Sequence, residues 1–157
     1  MRPFQGPDAY KVMETEVAEA FELPLAHLLD PANHRDRETE TIIRNMHDGL
    51  LTRDAQMKVV PELAESWKAI DPLTYEFKLR SGVTFHDGTP MTAEDIKFTF
   101  DRLVQEGAME GQTSPRKSLL GPLKEIAIVD AGTVRMILSE PWPILPAMLP
   151  FQEVVSK

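Results

Sequence analysis

Four histidines, His27, His34, His47 and His86, stand in a chain of 157 residues that has no cysteine. Imidazole is the commonest metal ligand and the side chain that titrates nearest neutrality. None of the four has a second ligand at close spacing, and neither an HExxH nor a CxxC pattern occurs, so no metal site is expected. His86 is followed by Asp87, and a carboxylate beside an imidazole can orient it for acid–base work. That pair, however, lies inside the turn formers His86-Asp87-Gly88-Thr89-Pro90, where Gly accepts positive φ and Asp bonds nearby amides. A turn is the better reading. Glu94 and Asp95 follow Thr92 at the expected start of a helix, where carboxylates complement the positive end of the dipole. Neither GxSxG nor a glycine-rich phosphate loop can be matched, so no catalytic residue and no cofactor is expected. Ser114-Pro115-Arg116-Lys117-Ser118 is a basic island in an acidic chain. It could meet a carboxylate or another anion, or be a solvated loop with some helix-capping duty.

Composition narrows the classes further. Lys+Arg 17 against Asp+Glu 25 gives a net charge of −8, which argues against a nucleic-acid groove or an anionic membrane surface as partner. The absence of cysteine excludes disulfides, Fe–S clusters and thiol catalysis. Met1 to Asp8 carries one basic residue and no apolar core, so no secretory leader is expected within this chain. The longest uncharged stretch, Pro141 to Gln152, is interrupted by prolines and falls short of the ~18 apolar residues of a membrane span.

The elements that would position these residues are short and of both kinds. Met13, Val17, Ala20 and Phe21 suggest a helix over Tyr10 to Phe21, and Ile42, Ile43, Met46 and Leu50 one over Glu38 to Leu51, with Gly49 as its terminator. Pro61 is expected to open a helical turn through Leu63 and Trp67. Tyr75, Phe77 and Leu79 alternate with charged residues as a half-buried strand does. Ile96, Phe100, Leu103 and Val104 form a helical stripe after Thr92. Gly107 to Ser114 reads as a loop. Ile126 and Ile128, then Val134, Met136 and Leu138, flank Asp130-Ala131-Gly132 as a hairpin. Pro141-Trp142-Pro143 leads to Ile144, Leu145, Met148 and Leu149, spaced as a short buried helix in preference to a polyproline ligand. The class is α+β.

Several segments, taken in order, resemble one family. Leu29-Asp30-Pro31, Asn45-Met46-His47-Asp48-Gly49-Leu50-Leu51 and Val60-Pro61-Glu62-Leu63-Ala64-Glu65-Ser66-Trp67 are followed by the most specific run, Tyr75 through Pro90, and then by Thr92-Ala93-Glu94-Asp95-Ile96. This series is similar to that of the bacterial extracellular solute-binding proteins of family 5, the oligopeptide-, dipeptide- and nickel-binding components of ABC importers. His47 and Asp48 stand where the family more often has an aromatic residue and Glu. The resemblance covers roughly residues 25–157 and leaves 1–24 as an N-terminal extension without an assigned role.

The resemblance implies part of lobe I of a periplasmic binding protein type II-like fold, mainly its accessory subdomain, a small mixed sheet with flanking helices, with the second lobe absent from the chain. It implies no enzyme, and a parent in the periplasm or at the cell surface that captures a peptide or other small solute for a membrane permease. It places two segments near the ligand cleft. Leu25, Ala26 and His27 would offer main-chain groups to the solute. The loop with Ser114, Arg116 and Lys117 would offer side chains, Arg116 holding a carboxylate and Lys117 seconding it. Loss of Arg116 is then expected to weaken solute binding and to leave the stability of the chain nearly unchanged. Two other readings remain open at this point: a structural or self-associating domain, in which a homo-oligomer forms through an open sheet edge or apolar patch, and, last, a hydrolase using His86 and Asp87.

Overall fold

The structure is a computed structural model and describes residues 30–34, 37–109 and 111–157. The helix expected over Tyr10 to Phe21 lies outside these residues. The first helix, α1 (Arg37–Ile43), is shorter than the apolar spacing suggests. Its last turn closes when the Asn45 side chain donates to the Thr41 carbonyl at 2.6 Å, and the chain turns through Arg44 to Met46. Gly49 does not end this helix. It lies buried in the next segment, where its N–H donates to Glu62 Oε2 at 2.8 Å and its backbone bridges to Glu153. Strands β1 (Leu51–Arg53) and β2 (Val59–Pro61) then form a small antiparallel hairpin.

The helical turn expected after Pro61 is instead a strand, β3 (Ala64–Asp71), paired antiparallel with β4 (Thr74–Leu79) so that Trp67 faces Phe77. Glu, Leu and Ala favour helix locally, but burial of Trp67 beside Phe77 is available only in the ladder. Helix α2 (Ala93–Val104) follows the turn at 86–90. A 3-10 turn (Lys117–Leu120) leads into the hairpin of β5 (Leu123–Asp130) and β6 (Thr133–Leu138). The second sheet has the order β3-β4-β6-β5, and every pairing in it is antiparallel, so the α+β class holds while the sheet is not mixed. Its inner face presents Tyr75, Phe77, Val134, Met136 and Ile126 to Ile96, Phe100 and Leu103 of α2. The chain closes with α3 (Leu145–Met148) and a 3-10 turn (Leu149–Phe151), which bury Leu145 and Leu149, whereas Ile144 is 52% exposed.

Residues 152–157 run extended between the 48–49 segment and α2. The Val154 N–H donates to the Asp48 carbonyl. The Val155 N–H and carbonyl both bond the Thr99 hydroxyl, and the Lys157 N–H donates to Asp95 Oδ1 at 2.9 Å. The described helices are few and short, and none is long and apolar enough to cross a membrane.

Candidate functional site

Proline supplies no N–H, so the Pro146 and Pro150 segment leaves carbonyls that need donors from elsewhere. Three arginines from three parts of the chain provide them. Arg53 Nη2 donates to the Ala147 carbonyl at 2.8 Å, Arg44 Nη2 to that of Pro150, and Arg116 Nη2 to that of Phe151. Arg44 and Arg53 also lie over the Phe151 ring, each 5.6 Å from its centroid. Guanidinium suits this work because its donors fan out in a plane that can bond and stack at once.

Arg116 sits at the centre of the cluster and is only 4% exposed. Its Nη1 donates to His34 Nε2 at 2.7 Å and lies 3.8 Å from Glu40 Oε2. Arg44 Nε is 3.3 Å from Glu40 Oε1 and 3.7 Å from Glu153 Oε1. Glu153 is 2% exposed and neither of its carboxylate oxygens has a hydrogen-bond donor. Burial pushes its carboxyl above the usual range, although its own backbone amide and Arg116 pull the other way. Burial likewise draws Arg116 below its ordinary value, opposed by Glu153 and Glu40.

The same loop holds the start of the described chain. Ser114, 3% exposed, donates from Oγ to the Ala32 carbonyl at 2.5 Å and accepts the Arg116 N–H at 3.1 Å. Asp30 caps the Ala32 N–H at 2.9 Å and pairs with Arg102 of α2, whose guanidinium lies 5.5 Å from the Phe98 ring centroid. The residues following Leu29 are thus laced to the loop at 114–116 at Ala32 and His34.

Of the six residues implied for solute contact, Leu25, Ala26 and His27 lie outside the described residues. Ser114 and Arg116 are brought together with residues 30–34. Both are buried and bonded to protein, so this part of the loop is not the solvated island its composition suggests. Lys117 faces outward, with Nζ 3.5 Å from Glu106, itself largely exposed. Sequence reading missed His34, Arg44, Arg53 and Glu153. The signal available was a proline tract short of donors in a chain that has arginines to spare. No local spacing links Arg44 to a carbonyl 106 residues away.

A second concave region is a groove of about 290 Å³ between the 46–48 segment, the loop at 83–87 and Val154. His47 and His86 both line it. Burial lowers the His47 pKa and His86 adds to that, while its bond to the Val154 backbone works upward. Asp87 Oδ1 accepts the Thr89 N–H at 2.8 Å and the Thr89 hydroxyl at 2.7 Å, the turn chemistry anticipated for this dipeptide. These bonds, the hydroxyl first, hold the Asp87 carboxyl below its usual range. Among the described residues no three His, Cys, Asp or Glu side chains are grouped to hold a metal ion.

Comparison with known proteins gives this geometry a context. The chain is 33% identical over 122 residues to the uncharacterized protein YhjP of Bacillus subtilis (strain 168), covering 77% of this chain and 20% of that one. It is 28% identical over 134 residues to the periplasmic murein peptide-binding protein MppA of Escherichia coli (strain K12), covering 73% of this chain and 24% of the other. Its fold matches that of AgaA from A. tumefaciens R10, solved in complex with agropinic acid, with TM-score 0.72 and 28% identity over 81% of this chain and 26% of that one. The chain therefore spans about a fifth to a quarter of the length of these relatives. Residues 58–157 match the sequence profile of "Bacterial extracellular solute-binding proteins, family 5 Middle", well over half of the chain, and the chain belongs to the family 5 bacterial extracellular solute-binding proteins.

Proposed function

We propose that the chain is the lobe I portion of a longer capture protein that holds a peptide or similar small solute between two lobes, outside the cytoplasm, and presents it to an ABC permease. Family membership over residues 58–157 is the observation that carries this reading. The peptide ligand is suggested by MppA, and the agropinic acid bound to AgaA marks the range of other solutes worth testing. Residues 25–157 serve as the N-terminal subdomain, with 1–24 an extension. Leu25, Ala26 and His27 meet solute through main-chain groups, as an added strand does. Lys117, on the outer side of the loop, is the cation able to approach a solute carboxylate directly. Ser114 and Arg116 serve by bracing. The protein is a binder and not an enzyme; its residues need only fix a ligand whose bonds are unchanged.

The test is titration calorimetry on the whole reading frame that contains this chain, with tripeptides, tetrapeptides and agropinic acid as ligands. Saturable heat with at least one, and unchanged ligand recovered afterwards, is the expected result. No heat with any of them, or hydrolysed peptide that disappears in a His86→Ala variant, overturns the proposal.

A further inference from the structure

We propose that His34, Arg116 and Ser114 form a proton-sensitive latch that positions the chain at 30–34 against the loop at 114–116, and that protonation of His34 releases it. The latch rests on side-chain geometry; its purpose, to set the segment that presents Leu25 to His27, rests on the capture reading above.

A guanidinium can only donate. The His34 nitrogen 2.7 Å from Arg116 Nη1 is therefore an acceptor, and the ring carries no proton at Nε2. His34 and Arg116 are each 4% exposed, so water cannot step in to separate them cheaply. A proton on Nε2 sets N–H against N–H and adds a cation beside one that is already buried.

Charged groups from several elements surround the pair. Glu40 comes from α1, Arg44 from the turn after it, Glu153 from the extended C-terminal segment, and Arg53 of β1 lies 5.6 Å from the Phe151 ring centroid. A charged His34 sets a second cation 2.7 Å from the buried Arg116 guanidinium, and each like charge disfavours the other. Burial already favours the protonated form of Glu153, so acidification removes negative charge from the same place.

Displacement of Arg116 is transmitted through Ser114. One hydroxyl accepts the Arg116 N–H and donates to the Ala32 carbonyl. When the arginine leaves its site, the bond that ties Ala32 to the loop loses its alignment. Once released, an exposed imidazole takes up a proton near its ordinary value of about 6.5, so the latch weakens as pH falls below that value. His34 and Arg116 are positioning residues here, acting on the solute only through the segment they hold.

The experiment uses the isotopically labelled 157-residue chain with no solute present, at about pH 7.5 and about pH 5.5. Ring nitrogen spectra at the higher pH are expected to show Nε2 of His34 without a proton. After correction for intrinsic exchange rates, the amides of Ala32, Asn33, Arg116 and Lys117 should lose at least about tenfold of their protection at the lower pH, while those of Phe77 and Val134 in the sheet do not change. In His34→Gln, a neutral acceptor at both pH values, the step should vanish. A protonated Nε2 at the higher pH, no step in the natural chain, or an equal step in His34→Gln overturns the latch. If His34→Gln does not fold, the natural chain's ring spectrum and its local step decide. Because no solute is involved, a missing step refutes the latch and leaves the capture reading standing, whereas a whole protein that binds no solute refutes the capture reading alone.

Discussion

Arg116 and Lys117 are neighbours in sequence with opposite roles. The family resemblance implies a solute contact for both, Lys117 the weaker, and a loss of Arg116 that leaves stability nearly unchanged. Burial separates them. Removing the Arg116 guanidinium leaves the His34 nitrogen and the Phe151 carbonyl without their donor and takes one of two nearby counter-charges, Arg44 being the other, from the buried Glu153. Breaking a buried charged cluster from one side costs about 3–5 kcal/mol. Lys117 only reaches an exposed Glu106, and such a pair contributes at most about 1 kcal/mol. Urea denaturation should show Arg116→Ala strongly destabilised and Lys117→Ala close to the natural chain; equal midpoints would refute the assignment. Two glycines give a second residue-level contrast. Gly88 has φ +87° with open space around it, whereas Gly121 has φ +53° and a Cβ there would come within 2.8 Å of the Trp142 ring. Gly88→Ala meets backbone strain of about 1 kcal/mol. Gly121→Ala meets strain and a clash, and should lower the urea midpoint further.

At the scale of elements, what could be read in sequence was whatever had a complete local cause. The strand with Tyr75, Phe77 and Leu79, the hairpin around Asp130-Ala131-Gly132 and the helix after Thr92 each carry periodicity and boundary residues within one short window. β3 was misread because Glu62 to Trp67 has helical composition and its strand character comes from β4. The length of α1 was overestimated because Met46 and Leu50 keep helical spacing while entering a turn and a strand. The polar cluster was illegible for a related reason, since its members meet only after α1, the loop at 114–116 and the C-terminal segment have docked. The N-terminus of α2 allows a test by pH. Burial works to raise the Asp95 carboxyl, but the Lys157 amide and the Thr92 hydroxyl and amide outweigh it and hold the pKa below the ordinary value. A depressed carboxyl stabilises the fold above its unfolded pKa of about 3.9, and that contribution is lost as pH falls through the folded value. Asp95→Asn should lower stability at neutral pH and flatten the acid limb of the stability curve below about pH 4. A variant with an acid limb as steep as the natural chain's would refute this.

On the scale of the whole molecule, the sheet formed by the described residues ends at β3 and β5, and unpaired edges are where chains join. Both edges carry the features that oppose joining. Register shifts interrupt β3 at Ala64/Ser66 and Ala69/Asp71, and β5 at Leu123/Glu125 and Ile128/Asp130. Bulges twist an edge away from a flat partner. Charged side chains stand along the same strands, Glu65 and Lys68 on one and Lys124 and Glu125 on the other, all exposed. Among the described residues, the exposed large apolar side chains do not offset this. Ile70 and Leu73 lie at the β3–β4 turn, Val129 at the far end of the sheet by the β5–β6 turn, Met57 at the tip of the β1–β2 hairpin and Ile144 before α3. Scattered single residues do not make a patch that a second copy could cover. A net charge of −8 adds mutual repulsion. The self-association anticipated from an open edge should therefore be absent, and light scattering across a concentration series should give the monomer mass of 17.7 kDa throughout. A mass that rises with concentration would show that an edge does pair. Introducing Pro at Lys68 and separately at Lys124 would then identify which one, because proline removes the N–H an added strand must use.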